Sequence, residues 1–325
     1  MHAMRHTGTL SSAAEAIGNT PMVELSRMTQ GYAGRILAKL EFLTPGLSKK
    51  DRIAKQIIED AEHAGQLHPG QTVVELTSGN TGTGLAIVCG LKGHPFVAVM
   101  SRGNSVERAH MMAALGAEVV LVDQLPGARP GQVSGGDLER VEQETRRIVV
   151  ERNAFRADQF RLAGNFRAHY LHTGPEIIAR SGGRIDAFCD FAGTGGSFSG
   201  CAAAIKEHNP AAKCYVIEPA GAEVLAGKPA VQPSHRIQGG GYVMPELPLL
   251  RRDLVDGYLS VSDDEAMLTA RRLARAEGLF AGFSSGANVA VALRLLAEKH
   301  KGGTIAVLLC DSGLKYLSTD LWGRG

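Results

Sequence analysis

The sequence predicts an α/β protein of two units, each with a mostly parallel sheet flanked by helices. Three observations carry this. Short apolar runs alternate with amphipathic stretches along most of the 325 residues. Several of these runs lead directly into turns rich in glycine or hydroxyl residues. The alternation also comes in two sets, one ending near Val122 and one starting near Ile185, and this length suits two domains.

In order, Ile36–Leu40 reads as a strand and Thr44–Lys49 as a turn built on Pro45 and Gly46. Asp51–Ala64 places Ile53, Ile57, Ile58 and Ala61 at helical spacing. Val73–Leu76 is a strand, and the chain from Asn80 is a helix packed through small residues. Phe96–Met100 and Val119–Val122 are strands around a helix from about Ser105 to Leu115. Pro126–Gly136 interrupts this rhythm and reads as a long surface loop, either functional or simply mobile. In the second set, Ala187–Phe191, Cys214–Ile217 and Thr304–Leu309 are strands. Ser199–His208 and Ser285–His300 are helices, and Ser262–Glu265 is a capping box for a helix ending at Gly278.

Composition excludes several classes. The formal net charge is +2 and aromatic residues make up 5%, which gives no basis for nucleic-acid or membrane partners. The five cysteines form no CxxC pair and mostly sit in apolar runs, as buried thiols of a reducing compartment do. No Cys/His spacing suits a metal. Met1–His6 lacks an apolar signal core and no apolar run is long enough to span a bilayer. The expectation is a soluble cytoplasmic protein.

Three segments can carry chemistry. Thr77-Ser78-Gly79-Asn80-Thr81-Gly82 lies between a strand and a helix, where free backbone N–H groups favour an anion such as a carboxylate. Gly193-Thr194-Gly195-Gly196-Ser197 occupies the same kind of position and suits a phosphate, or is a tight turn with no ligand. It is not a P-loop, and Phe198 occupies the third glycine position of the dinucleotide pattern. Lys49 and Lys50 lie where a turn enters a helix. Either they form a solvated basic helix start, or burial and the helix dipole make a neutral amine able to form a Schiff base. Asn80, Gly193 and Ser312 all follow strands at their carboxyl ends, where ligands of open α/β sheets bind.

Taken together and in order, these segments resemble the cysteine synthase family, pyridoxal-phosphate enzymes of fold type II (the tryptophan synthase β class). Ile17–Val23, Lys50-Asp51-Arg52, Thr77–Gly82, Thr173–Ile177, Gly193–Ser197, Gly282–Ala287 and Ser312–Thr319 carry the resemblance, which runs from about residue 14 to 321. It implies pyridoxal 5'-phosphate joined to Lys50, with Asn80 on its phenolic oxygen. It further implies a phosphate cup of Gly193, Thr194, Gly195, Gly196 and Ser197, and Ser312 (with Asp311 as the alternative) at the pyridine nitrogen. Thr77, Ser78, Gly79, Thr81 and Gln159 are implied to hold the substrate carboxylate, and Gly239 to line the site. The implied organisation is a smaller domain over 44–157, carrying Lys50 and the carboxylate loop. A larger domain over 1–43 and 158–325 carries the cup, and the assembly is a homodimer.

The implied chemistry is β-replacement on an O-activated serine through an aminoacrylate, with sulfide or a thiol as nucleophile and cysteine synthesis as the family default. A pyridoxal-phosphate serine/threonine dehydratase is the alternative with the same cofactor, and a nicotinamide-dependent oxidoreductase the alternative from another class. Three segments depart from the family pattern: Met100–Arg108, Pro126–Gly136 and Gly241–Pro245. All three are expected to border the entrance to the site and to bear on the leaving group and nucleophile. Lys49 also departs, standing where a small apolar residue is usual.

Overall fold

The computed structural model describes residues 8–127 and 133–323. Among them the elements run β1 (Met22–Glu24), β2 (Arg35–Leu40), α1 (Lys50–His63), β3 (Val73–Leu76), α2 (Asn80–Lys92), β4 (Phe96–Ser101), α3 (Val106–Ala114) and β5 (Glu118–Val122). They continue with α4 (Gly135–Arg152), β6 (Phe155–Arg156), α5 (Gly164–Ala168), α6 (Gly174–Ser181), β7 (Ala187–Phe191), α7 (Gly196–His208) and β8 (Lys213–Pro219). The last are β9 (Gly257–Val261), α8 (Asp263–Glu277), α9 (Phe283–Ala297) and β10 (Thr304–Leu309). No helix of the described residues is long and apolar enough to cross a membrane.

Two sheets result, in the orders β5-β4-β3-β6 and β1-β2-β10-β7-β8-β9. Every pairing is parallel except β1 with β2. Such sheets are covered on both faces and their strands are mostly apolar. Thus β3, β4, β7 and β10 are buried at every position.

The expected strands and helices are present with small shifts. α7 starts at Gly196, three residues before the expected Ser199, because the glycine turn already carries its first helical residues. α9 covers Phe283–Ala297 and not Ser285–His300. The expected loop Pro126–Gly136 ends earlier, since α4 begins at Gly135, and its residues 128–132 lie outside the described residues. α4 itself was not expected. Its signal is present: Ser134 and Asp137 form a reciprocal capping box, and Leu138, Val141 and Ile148 share a face against Val74, Leu76, Val97 and Val99 of β3 and β4. Its many Arg and Glu residues and the preceding glycines obscure that face.

One charged cluster fixes how α1 sits on the larger sheet. Arg52 donates to Glu41 from Nε at 2.6 Å and Nη2 at 2.8 Å, and to Glu176 from Nη1 at 2.8 Å and Nη2 at 2.7 Å. Lys39 on β2 donates to Glu176 at 2.6 Å and to the Thr20 carbonyl at 2.5 Å. The Thr20 hydroxyl donates to Glu41 at 2.7 Å, and the Asn19 N–H to Glu176 at 2.9 Å. Glu41 is fully buried. Burial opposes its charge, but Arg52 and Lys39 outweigh it and bring its pKa from 4.5 to about 2.

Removing one member of such a buried set strands its partners' charges. Arg52→Ala is therefore expected to cost about 3–5 kcal/mol of stability in urea unfolding. The Glu41 carboxyl has a folded pKa below its unfolded value. Its contribution is thus complete above pH 4.5 and is lost as pH falls toward 2. The stability slope over that window should flatten in Glu41→Gln, as read by unfolding at a series of pH values.

Candidate active site

The chemistry-bearing turns cluster at strand carboxyl ends. Thr77–Gly82 follows β3, Gly193–Ser197 follows β7, and Asp311–Ser312 follow the neighbouring β10. The first turn of α1 links them. The Lys49 N–H donates to the Cys310 carbonyl at 2.8 Å, and Ser48 bridges Asp311. α2 reaches α1 closely because Gly84 has no side chain. A Cβ there would lie 3.1 Å from the Lys50 carbonyl oxygen and 3.0 Å from Asp51 Cα.

The two lysines differ in their partners. Lys49 Nζ donates to Asp190 at 3.0 and 2.9 Å and to the Ser197 hydroxyl at 2.8 Å. Burial works against its charge, but Asp190 holds it protonated, with its pKa well above the usual value. Lys50 is half-buried, and among the described residues its Nζ makes no hydrogen bond or ion pair. Burial and then the Lys49 charge lower its pKa to about 8. The amine that can become a neutral nucleophile or base is therefore that of Lys50, while Lys49 is a fixed cation.

The loop after β3 is held open by its own side chains. The Thr77 hydroxyl accepts from the N–H groups of Gly79 and Gly82, both at 2.9 Å. That leaves the N–H groups of Asn80 and Thr81 at the start of α2 for an anion. Gly79 has φ +121°, and a Cβ would lie 2.5 Å from the buried Arg108 side chain, so no other residue fits there. The Thr81 hydroxyl donates to Gln159 Oε1 at 2.5 Å, and Gln159 Nε2 donates to the Leu76 carbonyl at 3.0 Å. Gln159 thus braces the loop. Asn80 Nδ2 donates to Asp311 at 2.7 Å, and Asn80 Oδ1 accepts from Lys315 at 2.9 Å. One Asn80 N–H remains for a ligand.

The turn after β7 is a cradle. At Gly193 a Cβ would lie 3.2 Å from the Gly239 carbonyl, and at Gly196 2.2 Å from Asn165 Oδ1. Gly195, with φ +85°, is the N-cap of α7. Asn165 Nδ2 donates to the Thr194 hydroxyl at 2.8 Å, leaving the Thr194 proton free. The Ser197 hydroxyl proton goes to Asp190 at 2.5 Å. Ser197 offers the cup its backbone N–H and not a free hydroxyl. Bare backbone at a helix N-terminus, one free hydroxyl and the paired Lys49 cation nearby fit a phosphate group. With the low-pKa Lys50 amine, these residues fit a phosphorylated aldehyde cofactor.

At the end of β10, Asp311 also accepts from the Tyr316 hydroxyl. The Ser312 hydroxyl accepts from the Leu314 N–H at 3.3 Å and keeps its proton. Ser284 opens α9 and faces the same strand end through Cys310. It is a further hydroxyl at the site, and nothing in the local sequence distinguishes it from the adjacent Ser285.

A cleft of about 360 Å³ collects Thr77, Ser78, Gln159 and Gly239. Lys50, the cup and Ser312 are not among its lining residues; the cup meets it where Gly193 packs on the Gly239 carbonyl. Parts of all three departing segments do line it, through Ser101 and Asn104, Ser134 and Gly135, and Gly241 to Val243.

Residues 13–311 match the model of a family described as pyridoxal-phosphate dependent enzymes. A cysteine synthase of Staphylococcus aureus (strain N315) is 38% identical over 316 residues, which is 96% of this chain and 97% of that protein. Among solved structures, O-acetyl serine sulfhydrylase isoform 3 from Entamoeba histolytica is similar at a TM-score of 0.89 and 32% identity, covering 100% of this chain and 95% of that one. O-ureido-L-serine synthase is similar at 0.87 and 35% identity, covering 98% and 97%.

The Lys50 pKa sets the rate at which cofactor-free protein captures the aldehyde. Only the neutral amine attacks, so capture should rise with pH and level off above about 8, being about tenfold slower at pH 7 than on the plateau. Lys49→Met removes the neighbouring positive charge and should move the midpoint upward. Lys50→Ala should abolish covalent capture. Stopped-flow absorbance of cofactor uptake reads all three.

Proposed function

This chain belongs to the pyridoxal-phosphate-dependent enzyme family as a cysteine synthase-like member, and from that premise we propose that it performs β-replacement on an O-activated serine. The simplest form is O-acetylserine with sulfide, giving cysteine and acetate. The observation that carries this reading is the Lys50 amine, without a hydrogen bond or ion pair among the described residues and low in pKa, flanked by one turn suited to a phosphate and another suited to a carboxylate.

Pyridoxal phosphate, when bound, supplies the electron sink that makes the substrate Cα–H acidic. Lys50 would hold it, Gly193 to Gly196 with the Thr194 hydroxyl and the Ser197 N–H would take the phosphate, and Asn80 with Ser312 would contact the ring. The N–H groups at the start of α2 bind the amino acid carboxylate, braced by Thr77 and Gln159, and orient Cα–H toward Lys50. Lys50, released when the substrate's amino group takes its place, would take the Cα proton as general base. The Cβ–O bond breaks as acetate leaves, the Cβ–S bond forms, and Lys50 returns the proton to Cα. Lys49 keeps its proton throughout because Asp190 holds it. The division of the sheets supports 44–157 as the smaller domain, and a homodimer follows from the family resemblance, to be tested by sedimentation.

The purified protein should be yellow, with a visible cofactor band that Lys50→Ala removes. With O-acetylserine and sulfide it should release cysteine and acetate in equal amounts. Pyruvate and ammonia formed at the same rate with and without sulfide would instead identify a dehydratase. Thr77→Val deletes the acceptor for two loop N–H groups and should raise the amino acid KM by about tenfold, consistent with about 1.4 kcal/mol of lost orientation.

A further inference from the structure

One buried cation at the site has no part in the reaction steps. Lys315 is fully buried. Among the described residues its amine makes one hydrogen bond, to Asn80 Oδ1 at 2.9 Å, and no ion pair. Burial lowers its pKa to about 8, so it is mostly charged at neutral pH; Asp51 and Asp311 favour that charge and Arg108 opposes it. An ammonium without a contacting counter-ion is costly to bury. The backbone nevertheless holds it there. Lys315 lies in the one-turn helix Gly313–Tyr316 that follows β10. Its N–H donates to the Ser312 carbonyl at 3.2 Å, and its carbonyl accepts from the Ser105 hydroxyl at 2.8 Å. Arg108 Nε in turn donates to the Ser105 hydroxyl at 2.8 Å.

The amide that Lys315 reaches is gripped from both sides. Asn80 Nδ2 donates to Asp311 at 2.7 Å while Oδ1 accepts from Lys315. An ammonium can only donate and a carboxylate can only accept. Turned over, the amide would set its oxygen against the carboxylate and its N–H groups against the ammonium. One orientation is therefore strongly preferred. Asp311 is held in its own turn. The Tyr316 hydroxyl, which also faces Asn80, donates to the same carboxylate oxygen. The other oxygen fits because Gly282 has no side chain, since a Cβ there would lie 2.3 Å from it. The costly buried charge of Lys315 thus serves one hydrogen bond, on the side chain that the family resemblance places at the cofactor's phenolic oxygen.

We propose that Lys315 is a positioning residue for the reaction: together with Asp311 it locks the Asn80 amide with an N–H toward the cofactor's phenolic oxygen and strengthens that N–H as a donor. This rests on the reading of Asn80 as a contact of the cofactor ring. A flipped amide would present its oxygen to the phenolic oxygen, acceptor against acceptor. Hydrogen bonds in a chain polarise one another in a buried site, so an ammonium on Oδ1 draws electron density from Nδ2 and makes its protons better donors. A stronger donor favours the anionic form of the phenolic oxygen, which is the form of the bound cofactor that absorbs in the visible. Neutralising Lys315 shifts the cofactor toward its near-ultraviolet form.

The test reads the ratio of the visible to the near-ultraviolet cofactor band in the loaded protein at neutral pH, with thermal melting to confirm folding. Lys315→Met, which keeps the length and loses the charge, should lower that ratio several-fold, and Lys315→Arg should restore most of it. Asp311→Asn, which removes the carboxylate from the other side of the amide, should lower it as well and does not depend on the folding of a Lys315 variant. In an Asn80→Ala background Lys315→Met should change nothing further, because its route to the cofactor is gone. A ratio unchanged in both Lys315→Met and Asp311→Asn, or a Lys315→Met effect of the same size with and without Asn80, would overturn the proposal and leave the β-replacement reading standing. Bands unaltered by Asn80→Ala would remove Asn80 from the ring and the proposal with it. A wild type that binds no pyridoxal phosphate would overturn the β-replacement reading itself.

Discussion

The buried Arg52 guanidinium is the constraint on which the site depends. It lies two residues after Lys50 in the first turn of α1 and is gripped by Glu41 and Glu176, from opposite parts of the chain. Its five N–H donors form a rigid fork that matches two carboxylates at once. Once the fork is seated, the first turn of α1 is fixed against the end of β2 and the start of α6. Lys50 then has little choice of position. A lysine in place of Arg52 would keep the charge and lose the fork.

That fixed first turn holds two adjacent amines to opposite fates. Lys49 turns toward the larger sheet and finds Asp190, so its charge is satisfied. Lys50 makes no ion pair among the described residues and feels the neighbouring charge, and burial and repulsion outweigh the more distant Asp190 and Asp311 to favour its neutral form. Asp51, next in line, is pushed by burial up to about 6 while accepting from the Gly46 N–H. Three consecutive ionisable side chains thus have three different electrostatic roles because each points into a different environment.

Both turns suited to an anion are made mainly of backbone. The side chains around them act chiefly as braces. Thr77 spends its oxygen on loop N–H groups, Gln159 ties the loop to β3, and Asn165 orients the Thr194 hydroxyl. Backbone donors held in this way need no reorganisation when a ligand arrives, which is the condition for strong electrostatic binding at the reacting centre.

The sequence alone determined the parallel α/β architecture and the positions of the key turns, because short continuous apolar runs, helical 3.6-residue spacing and glycines at strand ends are local signals. It also singled out Lys50, through Asp51-Arg52 beside it. It did not show that Gly18-Asn19-Thr20, Arg52 and Glu176 converge in one cluster, since their meeting depends on segments more than 100 residues apart. Nor did it show α4, whose apolar face is hidden among Arg and Glu, or the pairing of Lys49 and Ser197 with Asp190. Those partners, and with them the charge of each lysine, were decided only by tertiary structure. A pKa or a hydrogen bond belongs to what a side chain faces, and that is set by how the two sheets are brought together.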